Sequence, residues 1–583
     1  MATGTGKPKP AFFIAVLVVV AALLGLAFYR HSANKAKVAT NAGGTGNGSG
    51  FSDPRKDPSA GSGGQAENPD PNAPATTVKE YSFEPASKLP EVPGTASYKA
   101  LGKPRVVRFA VNIWAGWAPI VWANQGSKPG KVWKDAKGQD FQVELVLADD
   151  PVLMGNQVAN GDVQIGWATV DMLPLIIQRL KKDPRTMPRV FQQIDWSNGG
   201  DGIVVRKDIK DVASLRGKTV TLAQNSPSHY FLLNMLLNAG VQPSEVNMQF
   251  AHTPFEAAAA YNAKSDLAGV VTWSPDIYKL TENSKTNKML VSTLEANKLI
   301  ADVWFARADF ARDNPEIVEG LVRGILDATE DLTKSDANKK SVGALMDKFY
   351  GLDAGTGFTM LGDAHWTNYA ENRDFFMVAT NPTNFERTYN TAVRLYRSIQ
   401  VVKDPVDFDQ IMDFSVIKKL GADPKYADSK NSYEFKFTPA GSDLNVESQV
   451  LTKTVRINFF PNSYEVFKKV PGKDGAETNY DGNVDYTIEE IAKLAGQFGA
   501  ARIVIEGHTD GSMKGQADEA LVKDLSTRRA NAVKEALVNK YKMNPNQFTA
   551  SGLGWSVPAD PSDPNNHALN RRVEVKVVPA EAQ

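Results

Sequence analysis

The chain is 583 residues long, enough for more than one domain, and its apolar content of 42% is ordinary for globular protein. Lysine plus arginine equals aspartate plus glutamate, 66 against 66, so no global field draws the chain to nucleic acid or acidic lipid. There is no cysteine, which excludes disulfides, thiolate metal sites and acylation at cysteine, while a core of this size needs no covalent staple.

Residues 11–29, AFFIAVLVVVAALLGLAFY, are nineteen positions without a charge. As a helix they span ~28 Å, about the hydrocarbon thickness of a bilayer. The residues after them (Arg30, His31, Lys35, Lys37) are basic and lack a small-x-small cleavage site, which favours an uncleaved anchor over a cleaved signal peptide. The layout expected is a cytoplasmic tail at 1–10, a transmembrane helix at 11–29 and the bulk of the chain in the periplasm: a single-pass inner-membrane protein. Lys7 and Lys9 nearly balance the basic residues behind the span, so charge alone does not orient it. Residues 30–98 are rich in Gly, Ser, Asn, Pro and Ala and read as a disordered linker.

Residues 99–445 alternate strands and helices, which predicts a parallel α/β sheet. Strands are expected at 106–111, 141–147, 163–166, 219–223, 267–272 and 302–308, with helices at 151–160, from Pro227 to about residue 238, and at 254–262. Ser226 can cap the second of these helices, Pro227 suits its first position and Gly240 the position after its end. Asp150 and Asp171 fall near strand ends. Two such sets, joined by extended segments at 196–205 and 300–306, suggest two lobes around a hinge. Residues placed at strand ends between them are Trp114, Trp117, Ser226, Ser228, His229 and Trp273. Backbone N–H groups at the Ser226–His229 helix start could receive an anion. The alternatives are core packing for the two early tryptophans, a plain N-cap for Ser226 and an exposed first-turn residue for His229. No Lys or Arg lies among these residues, so a neutral ligand or an empty cleft is equally consistent with them.

NIWAGWAP, DVASLRGKTV, SPSHYFLLNMLLNAGV and VVTWSP, in this order, resemble the periplasmic substrate-binding proteins of the nitrate, sulfonate and taurine uptake type. The resemblance covers residues 103–398 and implies a small solute bound between lobes, with an ABC permease or another envelope protein as a possible partner.

Residues 404–420 read as a helix and 421–444 as loop. In the segment 446–583 the domain is expected to begin at 455–460; an apolar run at 501–505 then reads as a buried strand, followed by the polar GHTD (Gly507 to Asp510) and a helix at 521–537. Arg528 and Arg529 cannot share one face of that helix. One turns to solvent and the other toward the loop of Asp510. A carboxylate and a guanidinium converging on one cleft suit a zwitterionic ligand, and a surface salt bridge is the alternative.

GHTD, LSTRRA, GLG at 552–554 and NRRV at 570–573 resemble the OmpA-like peptidoglycan-binding domain over residues 452–579. The resemblance implies binding of the diaminopimelate of the peptidoglycan stem peptide by Asp510 and Arg529, with Thr509 beside them and Arg571 at the NRRV arginine. The chain departs from the pattern at Val522, where an asparagine is usual, at Pro461-Asn462, where an aspartate follows the aromatic, and in a longer loop after Asp510.

The fold class expected is therefore α/β: a membrane anchor helix, a two-lobed periplasmic-binding-protein-like domain, then an α+β OmpA-like domain. The function expected is non-enzymatic, binding peptidoglycan at one end and a small solute, an anion among the candidates, in the middle, as a transport or sensing component. The alternative is a membrane-to-wall tether whose middle domain binds a protein. The six histidines (His31, His229, His252, His365, His508, His567) show no metal-ligand spacing. There is no catalytic triad, GxSxG or P-loop, and no metal or cofactor is expected.

Overall fold

The computed structural model describes residues 66–67, 81–282, 285–438, 450–472 and 475–578. The first lobe is built on a seven-stranded sheet. Its strands β1 (Val106–Val111), β2 (Asp140–Leu147), β3 (Ile165–Thr169) and β4 (Pro188–Ser197) lie in the order β4, then a later strand, β3, β1, β2, with short strands at both edges. β3 is buried along its whole length, as a central strand covered on both faces must be. Between β2 and β3, Pro151 opens α1 (Pro151–Ala159) and Asp150 caps it by accepting from Val152 N–H at 2.7 Å.

The chain crosses to the second lobe at residues 197–201. There β5 (Asp201–Arg206), β6 (Thr219–Ala223), β7 (Asn247–Ala251), β8 (Gly269–Trp273) and β9 (Asn287–Ser292) form a five-stranded sheet in the order β9-β5-β8-β6-β7. Helix α2 (Pro227–Asn238) follows β6 and is buried at nearly every position. The chain returns through residues 292–301 and enters β10 (Ala301–Arg307), which slots between β3 and β4.

The sheets are mixed where a parallel arrangement is predicted. β10 runs antiparallel to both β3 and β4, and β5 antiparallel to both β8 and β9. The reason is topological: a strand that enters a lobe across the hinge comes from the opposite side to strands fed by a helix within that lobe. Three further expectations differ. Only Ser415–Leu420 of the helix expected at 404–420 is α-helix; a 3-10 turn at Phe408–Gln410 precedes it, and Met412 bridges to Val190 of β4 between the two. The C-terminal domain opens with β11 (Leu451–Val455) and not at 455–460. The linker does not stay unpacked to residue 98. Arg179 donates to the Pro90 carbonyl at 2.6 Å and Arg307 to that of Ala96 at 2.6 Å, while Phe83, Ala86 and Leu89 pack on the second lobe's core.

The C-terminal domain has a four-stranded sheet. β12 (Arg502–His508) pairs parallel with β13 (Phe548–Gly554) and antiparallel with β14 (Arg572–Val578), and β14 carries β11 at the edge. Helices α3 (Val484–Gln497) and α4 (Glu519–Tyr541) accompany it. Its core is continuous with that of the second lobe. Tyr230 and Phe231 of α2 and Leu395 and Tyr396 cluster with Leu451, Ile488 and Ile491. This explains why α2 is buried all round: the lobe's sheet covers one side and β11 the other.

The expectation of a single-pass inner-membrane protein is corrected. No helix among the described residues is long and apolar enough to cross a membrane. The longest of them, α4, is 23 residues but is studded with charges. Residues 1–10 and 11–29, on which the expectation rested, lie outside the described residues.

Candidate functional site

Between the two lobes lies a cavity of about 570 Å³. Trp114, Ser226 and Trp273 line it. Trp117, Ser228 and His229 do not. Trp117 is fully buried and donates from Nε1 to Asn112 Oδ1 at 2.7 Å, so it stands one layer behind a lining residue. His229 is buried against Phe250 and accepts from the Asn225 N–H at Nδ1. Burial pushes its pKa down to about 4, so the ring is neutral. Ser228 is fully buried, and its hydroxyl has no partner. Ser226 is the N-cap by backbone geometry, but its hydroxyl donates to the Ala223 carbonyl at 2.8 Å and leaves the helix N–H groups alone.

The lining of the cavity is acidic. Asp149, Asp150, Asp201 and Asp302 line it, and the basic lining side chains, Lys88 and His252, are both exposed. Asp302, on β10, stands opposite Asp195 in the ladder with β4. Trp114 Nε1 donates to Asp195 Oδ2 at 2.9 Å, and Ser197 Oγ donates to Asp201 Oδ2 at 2.7 Å. All three carboxylates are at least nine-tenths buried. Burial pushes Asp195 and Asp201 up to about 7, and it lifts Asp302 as well, with the negative charge of Asp195 adding to the effect. Thr169 also lines the cavity, is buried, and has a hydroxyl without a hydrogen-bond partner. Asp195, Asp201 and Asp302 sit beside the two chain crossings. Sequence reasoning read their segments as connectors. The available signal was an aspartate inside an otherwise apolar strand, in QIDWS and in LIADVWFA.

The C-terminal domain holds a second site. Asp510 follows β12 directly and is 1% exposed. It accepts from Ser512 N–H at 2.7 Å and pairs with Arg571 Nε. Burial raises its pKa, but the hydrogen bonds from Ser512 and Arg571 outweigh that and hold it below the usual carboxylate range. Thr509 is buried, its N–H bonded to the Gly554 carbonyl at 2.9 Å and its hydroxyl unpartnered. On α4, Arg529 is 3% exposed while Arg528 is solvent-facing and pairs with Asp524 at 2.8 Å. Arg529 donates from Nε to the Ser463 carbonyl at 3.0 Å and lies over the Phe459 ring at 4.7 Å. Among the described residues no ion pair joins Arg529 to Asp510. Its partner is Glu67, from the linker, at 2.5 and 2.7 Å.

Glu506, His508 and Glu574 bring three donor atoms within 4.8 Å of one another. Lys576 lies 2.7 Å from Glu506 and Arg572 donates to Glu574 at 2.7 Å. Burial and the Arg572 charge push His508 down to about 4. Two fixed cations already balance these carboxylates and would repel a metal ion, so the donor set does not fit one.

Comparisons with known proteins follow this division. A model of the OmpA family matches residues 479–572, and one of NMT1/THI5-like proteins matches residues 137–338. The taurine-binding periplasmic protein of Escherichia coli is 30% identical over 197 residues, 33% of this chain and 59% of its own length. Outer membrane porin F of Pseudomonas aeruginosa is 39% identical over 91 residues, 15% of this chain and 25% of its own length. The chain thus spans less than two thirds of either relative. Among solved structures, the periplasmic aliphatic sulphonate binding protein SsuA of Escherichia coli aligns with a TM-score of 0.41 at 18% identity, over 52% of this chain and 96% of that one.

Proposed function

We propose, for a chain that carries an NMT1/THI5-like solute-binding domain followed by an OmpA-family domain, that the interlobe cleft takes a small organic cation. The C-terminal pocket, in the same proposal, takes the diaminopimelate end of the peptidoglycan stem peptide. One observation carries the first half: a cavity of about 570 Å³ lined by carboxylates and aromatic side chains, with no buried base among its lining residues. A buried carboxylate without a counter-charge is costly, so burial makes Asp201 and Asp302 hold their protons more tightly, and a counter-charge lets them ionise. An ammonium placed against Asp201 and Asp302 supplies that charge. Trp114, Trp273 and Phe250 line the same cavity, and a ring face turned to a cation is worth about 0.5–2 kcal/mol. An anionic ligand would meet the same carboxylates with only Lys88 and His252, both exposed, in its favour. Taurine, the ligand in the relative's name, carries an ammonium beside its sulfonate, and the ammonium is the part this cleft suits. Asp201 and Asp302 flank the two crossings, so a cation held by both draws the lobes together and shifts the population toward the closed form.

The test is thermal shift of the full chain with choline, taurine and ethanesulfonate. A binder at 100 times its dissociation constant adds about 2.7 kcal/mol. The two ammonium compounds should stabilise the chain and ethanesulfonate should not, and Asp302→Asn should abolish the effect. Stabilisation by ethanesulfonate alone would overturn the assignment.

The second half is supported by Asp510 and Arg529, an acid and a guanidinium that are both buried and both held in ion pairs. A ligand end with one ammonium and one carboxylate can replace both partners.

A further inference from the structure

Two residues of the linker, Ala66 and Glu67, lie against Arg529 of the C-terminal domain. Glu67 presents both carboxylate oxygens to Arg529, Oε1 to Nη1 at 2.5 Å and Oε2 to Nη2 at 2.7 Å. Glu67 and Arg529 are each only 3% exposed. The backbone is held as well. Asn462 Oδ1 accepts the N–H of Ala66 at 2.8 Å and that of Glu67 at 3.0 Å, while its Nδ2 donates to the Glu67 carbonyl at 3.2 Å. The Ala66 methyl is buried among Val522 and Leu525, with Trp555 beside them. A bidentate fork, a three-point backbone clamp and an apolar seat make a built peptide site, and its occupant lies nearly 400 positions away in the chain.

Asn462 and Val522 both suit this occupant: an aspartate at 462 could not donate to the Glu67 carbonyl, and an asparagine at 522 would put an amide where the Ala66 methyl is seated.

We infer that residues 66–67 are an internal ligand of the Arg529 pocket, so that docking of the linker and binding of a cell-wall peptide exclude each other. This rests on the reading of Asp510 and Arg529 as the wall-binding pair. The incoming carboxylate and Glu67 need the same guanidinium, and one fork holds one carboxylate at a time in this geometry. Being tethered, Glu67 competes at an effective concentration of about millimolar, whatever the concentration of the protein. Apparent wall affinity is then the intrinsic affinity scaled by the undocked fraction. The chain engages the wall weakly until multiple stem peptides outcompete the linker, and engagement releases residues 66–67.

The experiment is co-sedimentation of the full chain with purified sacculi, comparing wild type, Glu67→Ala, Glu67→Gln, Asp510→Ala and the Glu67→Ala/Asp510→Ala pair. Both Glu67 variants should bind about tenfold or more tightly than wild type, and the pair should lose the gain. Hydrogen exchange supplies an independent reading. The Ala66 and Glu67 amides should be protected in wild type, and a soluble muropeptide should expose them. Equal or weaker binding by the Glu67 variants, with Asp510→Ala still lowering wild-type binding, overturns the internal ligand and leaves the wall-binding reading standing. Retention of no variant, Glu67→Ala included, overturns the wall-binding reading and the internal ligand with it.

Discussion

Asp195 and Asp302 face each other across an antiparallel ladder, a pairing that costs stability when both are charged. With Asp171 and Asp201 they are protonated in the folded chain at pH values where an unfolded chain has lost those protons. Asp171, Asp195 and Asp201 are pushed from 3.8 up to about 7 by burial. Between those values the native state binds more protons than the unfolded state, so stability falls as pH rises through the window, at about 1.4 kcal/mol per pH unit for each proton retained. Melting temperature of the ligand-free chain should therefore drop between pH 4.5 and 7, and Asp195→Asn combined with Asp201→Asn should flatten that slope. An unchanged slope in the double variant would refute it. At the other site, Asp510→Ala leaves Arg571 without its partner and removes the acceptor for a ligand ammonium. Each charge-assisted contact is worth about 1.5–3 kcal/mol, so sacculus binding should weaken roughly tenfold to a hundredfold. Arg529→Lys should also weaken it, because an ammonium cannot form the fork, while Arg528→Ala, on the solvent face, should leave it unchanged.

Between α4 and the strands beneath it, the spacing is set by glycine. A Cβ on Gly507 of β12 would stand 2.2 Å from the Ser526 carbonyl oxygen. One on Gly552 of β13 would stand 2.3 Å from the Thr527 nitrogen. Neither glycine has a left-handed φ, so the requirement is room and not backbone freedom. Ser526 uses the close approach: its Oγ accepts the Gly554 N–H at 3.0 Å, tying the helix to the end of β13. Gly552→Ala should push α4 off the sheet and cost about 1–3 kcal/mol, read as a lower denaturant midpoint. A variant as stable as wild type would show that the helix has slack there.

Across the whole molecule, the solute-binding and C-terminal domains share one core. Ile488 and Ile491 of α3 pack with Leu395 and Tyr396, and Arg394 reaches Glu490 at 3.3 Å. The C-terminal domain also grips a crossing between the lobes. Lys298 N–H donates to the Gln497 carbonyl at 3.0 Å, and Ala500 N–H to Asn297 Oδ1 at 3.2 Å. Residues of a crossing between the lobes are thus bonded to the C-terminal domain. Calorimetry of the full chain should show the second lobe and the C-terminal domain unfolding in one transition, and Ile491→Ala should lower it as a unit by about 2–5 kcal/mol. Two separate transitions, only one moved by the substitution, would show the interface to be superficial.

The order of strands and helices was legible because each element answers to local rules: Pro151 and Pro227 open helices, Gly240 ends one, and apolar runs mark strands. The GHTD, LSTRRA and NRRV motifs were legible because their residues lie close in sequence and each motif sits at one strand end or on one helix. Three things were decided only in three dimensions. Strand direction depends on which side of the hinge the chain enters from, and no local pattern records that. The acidity of the cleft depends on Asp195, Asp201 and Asp302 meeting across two crossings about a hundred residues apart in sequence. The partner of Arg529 is a glutamate 462 positions away in a stretch whose composition predicts no structure. Burial and counter-charge are properties of the assembled chain, since a carboxylate's cost and a guanidinium's partner depend on what folding brings beside them.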